Sequence, residues 1–219
     1  MLELFDVNHG LLSEARSKEL FTLRKKVFKD RLNWIVNSEN NMEYDEYDNY
    51  RTNYILGLYN NLSVCGVRFI ELQFNNMILG TFKSYFKKIE LPEGNYVEAS
   101  RLFIDKGRIK SLALQHQPVS ALLFLSMINY ARHFGYEGIY AIVSHPMYII
   151  FKRSGWAVSE VEEGLSEKDQ KIHLIFMPVD DANQRTLIEL VKARALPCSA
   201  KLDGWPLSFP IKRDGSDQL

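Results

Sequence analysis

Between Pro118 and Phe134 the sequence reads PVSALLFLSMINYARHF, a helical stretch with almost no polar side to turn toward water. Proline can open such a helix because the first turn needs no donor there. Val119, Leu122, Leu123, Met127, Tyr130 and Phe134 share one face, and Leu125 and Ile128 carry the apolar surface nearly all round. A helix of this kind must be covered on several sides. Shortly after it, GIYAIVS (138–144) is continuously apolar, as expected of a strand buried on both faces. Together they demand a layered α/β core. The charge-free run from Ser111 to Ala131 is broken by Gln115, His116, Gln117, Pro118 and Asn129. What remains is too short to cross a bilayer, and no membrane insertion is expected.

The other elements fit that core. Met1 to Val7 alternates as a first strand. Ser13 to Asp30 is an amphipathic helix, with Leu20, Leu23, Val27 and Phe28 inward. Residues 33–50 form a loop. TNYILGLYN and LSVCGVRFIEL flank Asn60 and Asn61, a hairpin turn, and YVEASRLFID is the next strand. After the strand at 138–144 come a short helix over 146–154, two strands (WAVSEVEEG and KIHLIFMPV), and a surface helix from Asp180 to Arg194. One mixed, twisted sheet with helices on both faces accommodates this order. A single domain over 1–210 is expected, with 211–219 a disordered tail.

The chain's 219 residues suffice for one sizeable core, and 46% hydrophobic with 25% charged residues is ordinary for a globular protein. Lys plus Arg (27) balance Asp plus Glu (27), so no overall field attracts nucleic acid, and recognition must rest on local patches. Cys65 and Cys198 make no CxxC or Cys/His spacing. No disulfide framework and no metal site is expected, and a reducing compartment suits the chain. MLELFDVNHG lacks the basic start and apolar run of a signal peptide, so a cytoplasmic location is expected.

Three groups of residues could carry chemistry. The loop SENNMEYDEYDNY (38–50) holds Glu39, Glu43, Asp45, Glu46 and Asp48, interleaved with Met42, Tyr44, Tyr47 and Tyr50. Such a run is either a solvated acidic loop or a seat for a cationic ligand with a flat ring. It lacks the alternating ligands and turn glycine of a calcium loop. Arg24 and Phe28 share a helical face ahead of Trp34, and Arg68 lies within an apolar strand. An interior arginine needs an acid partner, with Asp45, Asp48 and Glu98 available. Finally, EASRLFIDK (98–106) puts charges on a strand. Regular alternation places Glu98, Ser100 and Leu102 on one face, and Ala99, Arg101 and Phe103 on the other. Glu98 among apolar neighbours is a candidate base; solvated edge charges are the alternative.

Arg24, Phe28, Trp34, Asp45, Asp48, Arg68, Glu98 and Arg101, with TLRKKVFKDRLNW, MEYDEYD and FKRSGW around them, closely resemble the acyl-homoserine-lactone synthases, or autoinducer synthases. The resemblance runs from Met1 to about Pro178 and more loosely through WPLSFP (205–210). It implies a fold similar to the GCN5-related N-acetyltransferases. It also implies a monomeric enzyme with no cofactor, using S-adenosylmethionine as a substrate and an acyl group delivered by acyl carrier protein. Glu98, Ser100 and Arg101 would be catalytic. Arg24, Phe28, Trp34, Met42, Asp45, Asp48, Arg68 and Phe103 would form the S-adenosylmethionine site. Phe124, Met127, Ala141, Val143 and Met147 would line the acyl pocket.

Where the related acetyltransferases carry a glycine-rich pyrophosphate loop, this chain reads KGRIKSLALQHQP. Lys106, Arg108, Lys110, Lys152 and Arg153 are better suited to an acidic carrier protein. The chain departs from many relatives at Ala99, where they have Ser, and at Ala141, where they have Thr. An N-acyltransferase using acyl-coenzyme A and another amine is the nearest rival, and a non-catalytic adenosyl-ligand sensor a more distant one.

Overall fold

The computed structural model describes residues 1–194 and 200–211, so Cys198 and the expected tail beyond Ile211 lie outside the described residues. The strands are β1 (Leu2–Asn8), β2 (Thr52–Tyr59), β3 (Leu62–Glu71), β4 (Tyr96–Ile104), β5 (Gly138–Ser144), β6 (Ser159–Leu165), β7 (Lys171–Pro178) and β8 (Leu207–Phe209). They form one sheet in the order β6-β7-β5-β4-β3-β2-β1-β8. Only β4 and β5 pair in parallel, so the sheet is mixed.

Side-chain alternation sends each strand to two cores. On β2, Ile55 and Tyr59 join the large cluster, while Tyr54, Leu56 and Leu58 pack beneath the first helix. That helix is α1 (Glu14–Lys25), capped by the Ser13 side chain accepting from the Arg16 N–H. The sequence reading carried it to Asp30 as one helix; instead Lys26–Arg31 continues as a π-helical turn. The opposite face is covered by α3 (Val119–His133), α4 (His145–Arg153) and α5 (Asp181–Arg194). Helix α3 is buried from Ala121 to Ala131, and at Val119, as its composition requires. Its one amide, Asn129, donates to the carbonyls of Leu202 and Gly204 and accepts from Gln184 of α5. Helix α5, read as a surface element, thus buries Leu187 and Val191. The sequence reading missed the short helix α2 (Lys106–Ser111) and the edge strand β8. Each has too few residues to show a period.

The pairing that positions the site is the shortest one. β4 and β5 are in register only at Tyr96–Gly138, Val97–Ile139 and Glu98–Tyr140. Beyond Glu98 the two strands part and leave a cleft in the middle of the sheet. Because they run parallel, the segments that follow them, α2 and α4, emerge at the same end.

Asn60 and Asn61, with φ of 51° and 60°, close the β2–β3 hairpin in the left-handed region that its two-residue turn needs. A β-branched residue pays heavily for that backbone. Asn60→Val should therefore lower unfolding free energy by about 1–2 kcal/mol, whereas Asn60→Gly should be close to neutral. Urea midpoints, at unchanged m-value, will measure both.

Candidate active site

Burying an arginine is costly unless a carboxylate comes with it. Three arginines meet three carboxylates here. Arg24, on α1, donates through Nε to Glu43 at 2.6 Å and through Nη1 and Nη2 to Asp48 at 2.7 and 3.0 Å. Arg68, on β3, reaches Asp45 at 2.5 Å and Asp48 at 3.0 Å. Arg101, on β4, takes the other Glu43 oxygen at 2.9 Å and Asp45 at 2.8 Å. The charges cancel. Tyr54 donates to Asp48 at 2.7 Å from the hairpin, and the Met77 sulfur accepts from Arg68.

Burial opposes charge on both Arg24 and Asp48, but their partners outweigh it. Asp48 and Glu43 hold Arg24 above its usual pKa, while Arg24 and Arg68 hold Asp48 well below the carboxylate range. Three of the five acids of loop 38–50, Glu43, Asp45 and Asp48, are thus drawn out of solvent, while Glu39 and Glu46 stay exposed. Asp45 and Asp48 are the partners that Arg68 requires; Glu98 makes no ion pair with it.

Glu98 is different. It lies on a central strand, 1% exposed, which excludes the edge-charge alternative. Its Oε2 accepts from the Ile78 N–H at 2.8 Å. Among the described residues, its Oε1 is buried without a hydrogen-bond partner. Burial pushes the carboxyl above its ordinary pKa, and Arg68 only partly offsets that. A buried acceptor without a donor, on a group that can take a proton, makes Glu98 a candidate base.

The expected alternation of β4 needs correction. Opposite Gly66–Arg68 on β3, the pairing moves from Phe103 to Ser100, so β4 carries one extra residue. Arg101 bears the turn, at φ 54°. The bulge reverses side-chain parity, which brings Arg101 and Phe103 to the side of Glu98 and Ser100 and turns Leu102 away. Ser100 Oγ accepts from Arg68 Nε at 3.1 Å. Phe103 packs with Phe28 and Met42, and the Arg101 guanidinium lies 5.7 Å from the Phe28 ring centroid. Trp34, 40% exposed, rests against Phe28 at 5.1 Å between centroids.

Phe124, Met127, Ala141, Val143 and Met147 fall in one apolar cluster beside the cleft, walled further by Phe151 and Trp156. Lys106 and Lys110 are exposed on α2, and Lys152 and Arg153 on the last turn of α4. Arg108 is not a free surface cation: it pairs with Glu19 and donates to the Ser63 carbonyl, tying α2 to α1 and β3.

The family model described as "Autoinducer synthase" matches residues 8–187. A relative from Serratia liquefaciens, "Acyl-homoserine-lactone synthase", is 62% identical over 196 residues, covering 89% of this chain and 98% of the relative. The chain belongs to the autoinducer synthase family. It is an enzyme of the acyltransferase class. Two solved synthases share its fold. The "AHL Synthase LasI" superposes with a TM-score of 0.77 at 19% identity, covering 86% of this chain and 95% of that one. A "COA-dependent acyl-homoserine lactone synthase, BjaI, with SAM and isopentyl-CoA" does so at 0.75 and 18%, covering 90% and 92%.

In this autoinducer synthase, sequence reasoning gave no role to Glu43 and overlooked the segment carrying Met77 and Ile78. For Glu43 a signal existed. Three arginines on buried elements require three acids; of the candidates Asp45, Asp48 and Glu98, the last makes no ion pair, and Glu43 takes its place. For residues 73–95 there was none, because a main-chain N–H donor leaves no trace in residue type.

Removing the Asp48 charge leaves Arg24 and Arg68 short of compensation in the interior. Asp48→Asn should destabilise the fold by about 3–5 kcal/mol at pH 7. The depressed folded-state pKa means this stability is present above the ordinary value of 3.8 and lost as pH falls. The gap between variant and wild type in chemical denaturation should therefore narrow below about pH 4.

Proposed function

We propose that the enzyme joins S-adenosylmethionine to an acyl group carried on acyl carrier protein. It forms an N-acyl-homoserine lactone, a quorum-sensing signal, and releases methylthioadenosine. The observation that carries this reading is the Glu98 carboxylate, buried and raised in pKa, with a free oxygen beside the β4 bulge. Glu98, directly or through water, takes a proton from the S-adenosylmethionine ammonium, a task for which a raised pKa suits it. The amine attacks the thioester carbonyl. Main-chain N–H groups near Leu102 and Phe103 stabilise the oxyanion, and the tetrahedral intermediate expels the carrier thiolate. The methionyl carboxylate then attacks its own γ-carbon and displaces methylthioadenosine; tethering makes a further base unnecessary.

In this reading the adenosyl ligand sits against Phe28, Trp34, Met42 and Phe103. Asp45 and Asp48 shape that wall with Arg24, Arg68 and Arg101, since their own charges are already compensated. The carrier-protein donor is favoured by the start of α3. Pro118 offers no N–H there and the Val119 N–H already bonds the Gln117 carbonyl, so only the Ser120 and Ala121 N–H groups could meet a diphosphate. Lys106, Lys110, Lys152 and Arg153 suit an acidic carrier. Ala141, 3% exposed in the acyl cluster, offers no hydroxyl for a 3-oxo group, so unsubstituted short-to-medium chains are preferred.

Purified enzyme with each donor class decides the central point. Lactone and methylthioadenosine should form from acyl carrier protein thioesters; coenzyme A thioesters consumed without methylthioadenosine would support the rival acyltransferase, and binding without turnover a sensor. Glu98→Gln should cut turnover about 10²–10⁴-fold with little change in S-adenosylmethionine affinity.

The same variant has a stability signature. A carboxyl whose folded pKa is raised favours folding below its ordinary value of 4.5, and loses that benefit as pH rises through the raised value. Glu98→Gln should therefore melt at or above the wild-type temperature at pH 8, converging toward pH 4; a lower melting temperature at pH 8 would make Glu98 a structural group. Ala141→Thr should shift products toward 3-oxo lactones by up to about tenfold, the worth of one neutral hydrogen bond, read by mass spectrometry of the product mixture.

A further inference from the structure

A second cluster of ionisable groups lies on the outermost strand pair, apart from Glu98. Glu160 and Glu163 of β6 flank His173 of β7. Residues three apart on a regular strand face opposite sides of the sheet. The register shift between Glu160 and Glu162 reverses that parity and turns both outer carboxylates to the His173 side. Glu163 lies directly across the ladder from His173, and Glu160 Oε2 is 2.5 Å from His173 Nδ1. One oxygen of each glutamate and a ring nitrogen of His173 all fall within 4.8 Å of one another.

The imidazole is the part that ordinary edge chemistry does not explain. Charges on an edge strand discourage pairing with other chains, and that accounts for exposed acids. It does not account for two acids converging on a histidine that is 2% exposed. That ring is locked. Its Nε2 is 2.9 Å from His145 Nδ1, and Tyr148 stacks on it at 4.7 Å with 26° between the planes. At 2.5 Å the Nδ1–H donates to Glu160; an ion would take the place of that proton, with Nε2–H then donating to His145. A ligating histidine is oriented in this way, by an acceptor behind its other nitrogen.

We propose that Glu160, Glu163 and His173 form a binding site for a divalent transition-metal ion of the zinc class. One imidazole nitrogen and two carboxylate oxygens suit zinc, with a water completing four-coordination. The buried nitrogen disfavours calcium and magnesium, which want oxygen throughout. Binding would pin the edge strand β6 to β7 beside the start of α4. Lys171, whose Nζ lies 2.9 Å from Glu163 Oε1, competes with the ion for that carboxylate. The donors sit on two strands and follow no Cys/His spacing, so the sequence alone pointed to no metal.

The test uses untagged, full-length protein freed of metal and titrated with zinc chloride against a fluorescent chelator. One saturable site per chain is expected, and zinc should raise the melting temperature. Glu160→Gln and Glu163→Gln should each weaken binding about tenfold or more, comparable to the loss of even an outer-shell partner. Both residues are exposed, so the metal-free variants should melt with the wild type, which keeps the result interpretable where His173→Gln fails to fold. Lys171→Met should tighten binding several-fold by freeing Glu163. The absence of saturable binding, or an unchanged affinity in the double glutamate variant, would overturn the site.

Discussion

Three guanidiniums and three carboxylates that neutralise one another are the constraint on which the rest of the structure depends. Arg24 comes from a helix, Arg68 and Arg101 from neighbouring strands, and Glu43, Asp45 and Asp48 from a loop. No member can be buried alone without a penalty of several kcal/mol, so all four elements must assemble together or not at all. The network thereby fixes the acidic loop against the sheet. It also leaves Glu98, on the same strand as Arg101, as the carboxylate that the arginines do not claim as a salt-bridge partner.

That division of labour has a physical logic. A carboxylate held by a guanidinium is a poor proton acceptor, because its charged form is already stabilised. Glu98 is held in place by the Ile78 N–H, while burial raises its proton affinity above what Arg68 and its hydrogen-bonding neighbours take away. Two groups of acids on one face of the sheet are thus tuned in opposite directions, Asp48 downward and Glu98 upward. Tuning neighbouring titratable groups apart in this way separates architectural acids from reactive ones.

Much of this was legible in the sequence, and what was not had particular causes. The all-round apolar surface of 119–131 and the run at 138–144 placed the core correctly, because burial leaves a compositional mark. Arg68 declared its need for acids by sitting in a strand. The faces of Arg101 and Phe103 were misread because a bulge adds a residue without changing composition, and alternation counts residues blindly. Arg108 was misread for a related reason. A cation on a short helix looks like solvent-facing charge until the fold brings Glu19 beneath it.

The extra residue at Arg101 works as a frame shift in the strand. Upstream of it, even-numbered side chains face the site; downstream, odd-numbered ones do. One strand can therefore contribute Glu98, Ser100, Arg101 and Phe103 to the same wall, a density that unbroken alternation forbids. Losing a single residue there would restore regular pleating, yet it would rotate everything beyond Ser100 by half a turn. The wall would come apart while the hydrogen-bonded ladder stayed whole. What the strand brings to that wall is thus written in its count of residues as much as in their identity.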